Sequence, residues 1–209
     1  MKTQKPPLSI RIIYWISNIS IGLLSLVFVA TLVFNVLLYT DFFGNNMQLH
    51  MQFPVKIDFL ETGTLNLEGQ DITIEFVDAT SKIHFFNTPS FIARKAGIAI
   101  LIATSFIIYL LWIFRRFILN VKNGLTFNIE NISLLKKLSY GIVGFWLFSV
   151  VYMQLLYHYI AKNIDMANVR ISSDFTNQSG ILLLALFIWV LAHIFITGLR
   201  LQEEQDLTV

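Results

Sequence analysis

The chain of 209 residues is 56% hydrophobic and only 13% charged, and its mean hydropathy is +0.66. Soluble domains rarely have so few charges for so much apolar surface, so the composition predicts a protein dissolved in lipid. The absence of Cys excludes disulfides and thiolate metal sites, and a net charge of +2 is too small for direct nucleic-acid binding.

Four apolar stretches are long enough to cross a bilayer, which takes about 20 helical residues. They are 12–39, 96–114, 138–160 and 180–199, and none contains Asp, Glu, Lys or Arg. The first stretch is longer than the apolar core of a cleaved signal peptide, about 7 to 15 residues. We therefore predict a single mainly α membrane domain, a bundle of four transmembrane helices.

The distribution of Lys and Arg predicts the orientation of the bundle. With the amino terminus in the cytoplasm, nine of the 15 basic residues lie inside and six lie outside. The inner loop 115–137 carries five of them and the outer loop 161–179 carries two. We expect both termini to be cytoplasmic, although Arg94 and Lys95, at the outer end of the second span, run against this rule.

The segment 41–95, between the first two spans, changes from a continuous to an alternating apolar pattern. Apolar residues at every second position from Met47 to Phe59, and again after two turn-like stretches, predict a small antiparallel sheet of three or four strands. About 50 residues are marginal for an independent domain. We expect this sheet to rest on the outer helix ends, on a second copy or on another protein, either as a simple cover or as a sensor. His50 and His84 lie in different strands and could meet across the sheet, which is a weak metal signal.

Polar residues inside the spans are candidates for helix packing or for function. Asn35, Gln154 and His158 lie near the outer ends of their spans and are predicted to form a hydrogen-bonded cluster, with ligand binding or proton sensing as the alternative. His193, in the inner half of the fourth span, is a second candidate. No span has a charged residue at its middle or an internal proline, which argues against a coupled transporter. No catalytic, cofactor or phosphate-binding motif is found, so we expect a non-enzyme without a cofactor.

The inner loop and the tail 200–209 carry the remaining patterns. Gly124 is predicted to end a helix and Asn128 to begin the next, whose apolar face would include Phe127, Asn131 and Leu134. The tail is acidic and ends in apolar residues: Glu203, Glu204, Asp206, Leu207 and Val209. Each segment is interpreted either as a membrane-surface or solvated element or as a docking platform for a partner.

These two segments resemble a family of bacterial membrane proteins named domain of unknown function 2975. The similarity lies in a Gly-x-x-Phe-x-x-x-Asn loop and in a tail of the form Gly-x-x-Leu-x-x-Glu-x-Asp-Leu-Thr-Val, which begins at Gly198. The family commonly has proline where this chain has Thr126, and the strand-rich segment has no counterpart in the resemblance. It implies a compact four-helix protein of the bacterial inner membrane, often encoded beside a small helix-turn-helix regulator of the Xre type.

Three functions follow from these patterns. The first is a non-enzymatic regulatory or sensory protein that docks such a regulator through the loop and the tail. The second is a small-molecule binder or permease component using the bundle around Gln154, His158 and His193, which a wet cavity lined by these residues would favour over a dry bundle. The third is a structural subunit of a membrane complex. Homo-oligomerisation is left open.

Overall fold

The computed structural model describes residues 6–43, 49–59, 62–75, 79–164, 169–172 and 179–207. Within these residues there are four helices, α1 (Leu8–Tyr39), α2 (Ser90–Lys122), α3 (Ile129–Asn163) and α4 (Ser179–Leu207). Each is long and apolar enough to cross a membrane, which confirms the predicted set of four. Each also extends beyond its predicted span. The connection between α2 and α3 is consequently a short turn, 123–128, rather than the predicted loop 115–137.

The helices pack in chain order, α1 on α2, α2 on α3 and α3 on α4. We call the end of the bundle with the α2–α3 turn the turn end, and the opposite end, which carries the strands, the sheet end. At the turn end Ile113 is 1% exposed and packs with Leu134, Leu138 and Ala185. The apolar face at the start of α3 is therefore buried in the bundle, where the sequence predicted an interfacial helix.

The helix α4 is displaced along α3 toward the turn end. The Ser139 hydroxyl of α3 donates a hydrogen bond to the Ala185 carbonyl of α4 at 2.8 Å, although Ala185 lies only in the second turn of α4. At 1.5 Å per residue, α3 continues about 36 Å from Ser139 to its sheet end, whereas α4 extends only about 9 Å in that direction from Ala185. The sheet-end part of α3 therefore lacks α4 as a neighbour.

The described residues form five strands at the sheet end. They are β1 (Met51–Phe59), β2 (Thr62–Leu67), β3 (Gln70–Glu75), β4 (Ala79–Phe85) and β5 (Val169–Ser172). A three-stranded antiparallel sheet has the order β4-β1-β5, and β2 pairs with β3 in a separate hairpin. The hairpin turns through Glu68 and Gly69, both at positive φ, as a two-residue turn of this kind requires.

The small antiparallel region between α1 and α2 is confirmed, but the sequence missed β5. This strand comes from the segment between α3 and α4, and its residue Ile171 pairs with Ile57 of β1. The predicted first strand began at Met47, and residues 47 and 48 lie outside the described part of the structure, in which β1 starts at Met51.

The three-stranded sheet rests on the helix ends, the first of the three supports expected from the sequence. Phe53 and Val55 of β1 are each 6% exposed and form a core with Ala96 of α2 and Ile171 of β5. The Tyr157 hydroxyl of α3 donates to the Ile171 carbonyl at 3.1 Å. Because both α2 and α3 touch the sheet, the strands form a roof over the space between these two helices.

Candidate functional site

A groove lies between α2 and α3 at the sheet end, where α4 does not cover them. One wall is residues 91–103 of α2, the other is residues 148–159 of α3, and residues 51–53 of β1 form the roof. The α2 wall presents the small side chains Ala96, Ala99 and Ala103, opposite large side chains of α3. Small residues on one helix against large ones on the next leave space unless a third element fills it.

Two adjoining cavities of about 360 and 350 Å³ make up the groove, and both contact Phe53, Ala96 and Tyr152. Volumes of this size suit an organic ligand. The walls are mainly apolar. The polar side chains among the lining residues are Gln52, Lys95, Ser149, Tyr152 and Tyr159. None of the described lining residues is Asp, Glu or His.

The groove opens sideways, on the surface of the helices, rather than toward the interior of the bundle. Its lining residues Leu155 and Ile100 are 66% and 47% exposed. Lys95 lies at the rim, one residue before the apolar run 96–114, and its Nζ is 5.5 Å from the centroid of the Tyr159 ring. The groove therefore has a charged rim at the sheet end and an apolar interior.

The four polar residues predicted within the spans do not line the groove. Asn35 is 5% exposed, lies against Gly97 of α2, and donates from Nδ2 to the Thr31 carbonyl at 2.9 Å. Gln154 and His158 are exposed on α3, so the structure does not bring them to Asn35 in the expected cluster.

His193 is exposed on α4, with its ring edge-on to Trp189 at 4.5 Å. Neither of the two cavities of the groove is lined by Gln154, His158 or His193, so the permease component built on these residues stays a prediction.

At the turn end, Asn131 is fully buried and holds the α2–α3 turn together. Its Nδ2 donates to the carbonyls of Leu125 and Thr126 at 2.6 and 2.9 Å, and its Oδ1 accepts from Asn120 at 3.0 Å. Asn128 caps α3 by accepting from the Asn131 backbone N–H at 2.7 Å, as the sequence predicts.

A comparison with known protein families identifies the family to which the chain belongs. Residues 77–209 match the family model described as protein of unknown function (DUF2975). The chain belongs to this family. The match includes both helical walls of the groove, the α2–α3 turn and α4, whereas α1 and β1 to β3 precede it. No match was found among curated proteins or among solved structures.

In this DUF2975 chain, the loop motif has a structural role that the sequence did not reveal. Gly124 has a φ of 84°, which favours glycine, and Phe127 packs on Phe195 of α4 at 5.1 Å between ring centroids. A Cβ on Gly198 would lie 2.6 Å from Cε1 of Phe127, so glycine at 198 makes room for the ring. The motif joins the turn to α4.

The docking surface expected from the sequence must be corrected. Asn131 and Leu134 are 0% and 5% exposed, so neither can touch a partner of the DUF2975 chain in this conformation. The exposed members of the expected set are Gly124, Phe127, Glu203, Glu204 and Leu207. The side chain of Asp206 and all of Val209 lie outside the described part of the structure.

The two histidines expected to meet across the sheet do so. The rings of His50 and His84 lie 5.4 Å apart, and both side chains are exposed. Within the described residues, however, no group of three or more His, Asp or Glu side chains is placed to hold a metal ion. The pair therefore has no third protein ligand among the described residues.

Proposed function

We propose that this protein is a non-enzymatic, multi-pass protein of the bacterial inner membrane that binds the hydrocarbon chain of a bilayer amphiphile in the sheet-end groove. The observation that supports the proposal is the displacement of α4, which leaves the space between α2 and α3 open sideways. A ligand dissolved in the bilayer enters such an opening without first crossing water.

The physical character of the groove favours a hydrocarbon chain over water or a polar solute. Around Ala99 and Ala103 the lining side chains are apolar except for Gln52, Ser149 and Tyr152, and the contact of a hydrocarbon chain with apolar surface is favourable. An empty apolar space loses the dispersion contacts that a filled one makes. A flexible chain restores these contacts, and the three alanines of α2 give it room beside Tyr152.

The same proposal includes the orientation of the helix bundle in the membrane. The excess of Lys and Arg in the loop around the α2–α3 turn favours a cytoplasmic turn end. The two termini are then cytoplasmic, the sheet is extracytoplasmic, and the groove lies in the outer leaflet.

Substitutions that fill the groove test the proposal. We expect Ala99→Phe and Ala103→Leu to lose the lipid that copurifies with the wild-type chain in a mild detergent, because each adds side-chain volume inside the groove. Ile102→Phe is the control, since Ile102 is 39% exposed and does not line the groove. Lipid per chain is measured by quantitative lipid analysis, and thermal unfolding checks that each variant is folded. Equal lipid in all three variants would contradict the proposal.

A second candidate function is the docking of a small helix-turn-helix regulator at the turn end. The observation that favours it is the length of α4, which passes the turn at Gly198 and projects about 14 Å farther to Leu207. Glu203 and Glu204 are exposed on this projection, and an acidic surface attracts a basic DNA-binding face. Deletion of 202–209 should release such a regulator from membranes in a cell-fractionation assay. Unchanged membrane association would rule out this role of the tail.

A further inference from the structure

We infer that the ligand of the groove is an anionic phospholipid, whose head group is bound by Lys95 at the rim. This inference rests on the proposed function and adds the chemical class of the ligand. It starts from Arg94 and Lys95, two adjacent cations at the sheet end of α2. They run against the rule that places most Lys and Arg residues on the cytoplasmic side.

Arg94 is used within the protein. Its Nε donates to the Leu38 carbonyl of α1 at 3.0 Å, its guanidinium lies 5.2 Å from the centroid of the Tyr39 ring, and Nη2 is 3.8 Å from Asp41. These contacts join the ends of α1 and α2. The positive charge of Arg94 on this side of the bundle is thus accounted for by the α1–α2 contact.

Lys95 lies on the α3 side of α2, because adjacent helical residues are rotated by about 100° and its Nζ lies over the Tyr159 ring of α3. It lines the groove and is exposed, and its neighbour is the ring of Tyr159. Among the described residues, no carboxylate pairs with it. The ring of Tyr159 does not satisfy all three N–H donors of the Lys95 ammonium, so these donors also need water or an anion. A lipid phosphate supplies such an anion.

The order of features along α2 matches the order of parts in a phospholipid. Lys95 comes first, at the boundary of the apolar run and hence at head-group depth. Ala96, Ala99 and Ala103 follow on the groove side over about 10 Å of helix axis. A phosphate at Lys95 therefore places its acyl chain beside the alanines, pointing away from the sheet. A soluble anion would match the rim alone, and a neutral lipid would match the interior alone.

Photocrosslinking in lipid bilayers of defined composition tests this assignment. The full-length protein is placed in phosphatidylcholine nanodiscs that contain a trace of a photoreactive probe. Three probes carry the same photoreactive acyl chain, on phosphatidylglycerol, on phosphatidylcholine or as a free fatty acid. We expect phosphatidylglycerol to crosslink about fivefold more than phosphatidylcholine, the ratio expected for one lysine at a membrane surface.

Lys95→Gln should reduce this ratio to near one, and Lys95→Arg should retain it. Lys162→Gln is the matched control, because Lys162 is an exposed cation at the sheet end of α3 and does not line the groove. An unchanged ratio in Lys95→Gln, or no preference in the wild type, would overturn the head-group assignment. Stronger crosslinking by the fatty acid would overturn the choice of a phospholipid.

Failure of this inference can be separated from failure of the proposed function. If Ala99→Phe reduces crosslinking of all probes equally while Lys95→Gln changes nothing, the groove binds chains without selecting the head group, and only the inference is wrong. If Ala99→Phe leaves the crosslinking of every probe unchanged, the groove is not the binding site and both are wrong.

Discussion

Replacement of Asn131 by alanine should destabilise the protein by about 3 kcal/mol. The Asn131 side chain is completely buried and makes three hydrogen bonds, two to carbonyls of the α2–α3 turn and one from Asn120. A hydrogen bond of this kind contributes about 1 kcal/mol net, and the substitution removes all three. A loss of 3 kcal/mol lowers the folding equilibrium constant by about a hundredfold.

The free energy of unfolding can be measured by titration of detergent-solubilised protein with sodium dodecyl sulfate, followed by far-ultraviolet circular dichroism. Asn123→Ala is the control, because Asn123 is an exposed residue in the same turn, and its change should stay within about 0.5 kcal/mol. Asn131→Asp keeps the shape but turns a donor into an oxygen facing two carbonyls, so it should be at least as unstable as Asn131→Ala. An Asn131→Ala variant as stable as Asn123→Ala would refute the role of the turn.

Two further predictions use the same chain. Gly198→Val should destabilise the protein by about 1 to 3 kcal/mol in the same titration, because a side chain at this position collides with Phe127. Gly22→Ala is the control, and it should be neutral or stabilising because there is open space around Gly22. Equal effects of the two substitutions would contradict the packing of the turn on α4. Because the chain lacks Cys, Lys82→Cys and Glu203→Cys each give a protein with a single thiol. A membrane-impermeant maleimide should label the thiol at position 82 in intact cells and the thiol at position 203 only after permeabilisation. The reverse labelling pattern would show that the proposed orientation is inverted.

Much of the fold could be predicted from the sequence where a local pattern is long. The four helices follow from apolar runs that match the thickness of a bilayer, and the strands between α1 and α2 follow from alternation. Asn128 is a helix cap because its side chain acts on its own backbone neighbourhood. The strand β5 has only four residues, too few for a recognisable alternation, and it forms because Ile171 packs against β1.

The candidate site could not be predicted because it depends on how helices are placed against each other. Periodicity shows that Gln154 and His158 share a face of α3, but it does not show that this face is exposed, with Asn35 packed on α2 instead. The displacement of α4 depends on the contacts of Ser139 with Ala185 and of Gly198 with Phe127, between residues far apart in sequence. The groove is a consequence of that displacement.

The most direct test of the groove is to map where a bound chain lies. Phosphatidylglycerol with a photoreactive group in the middle of its acyl chain is crosslinked to the wild-type protein in a bilayer, and the modified residues are identified by mass spectrometry after proteolysis. Binding in the groove predicts adducts concentrated on Tyr152 and Phe148 of α3, well above those on Leu183 and Phe187, which are exposed on α4 and do not line the groove. Even labelling of all exposed helix faces would contradict it.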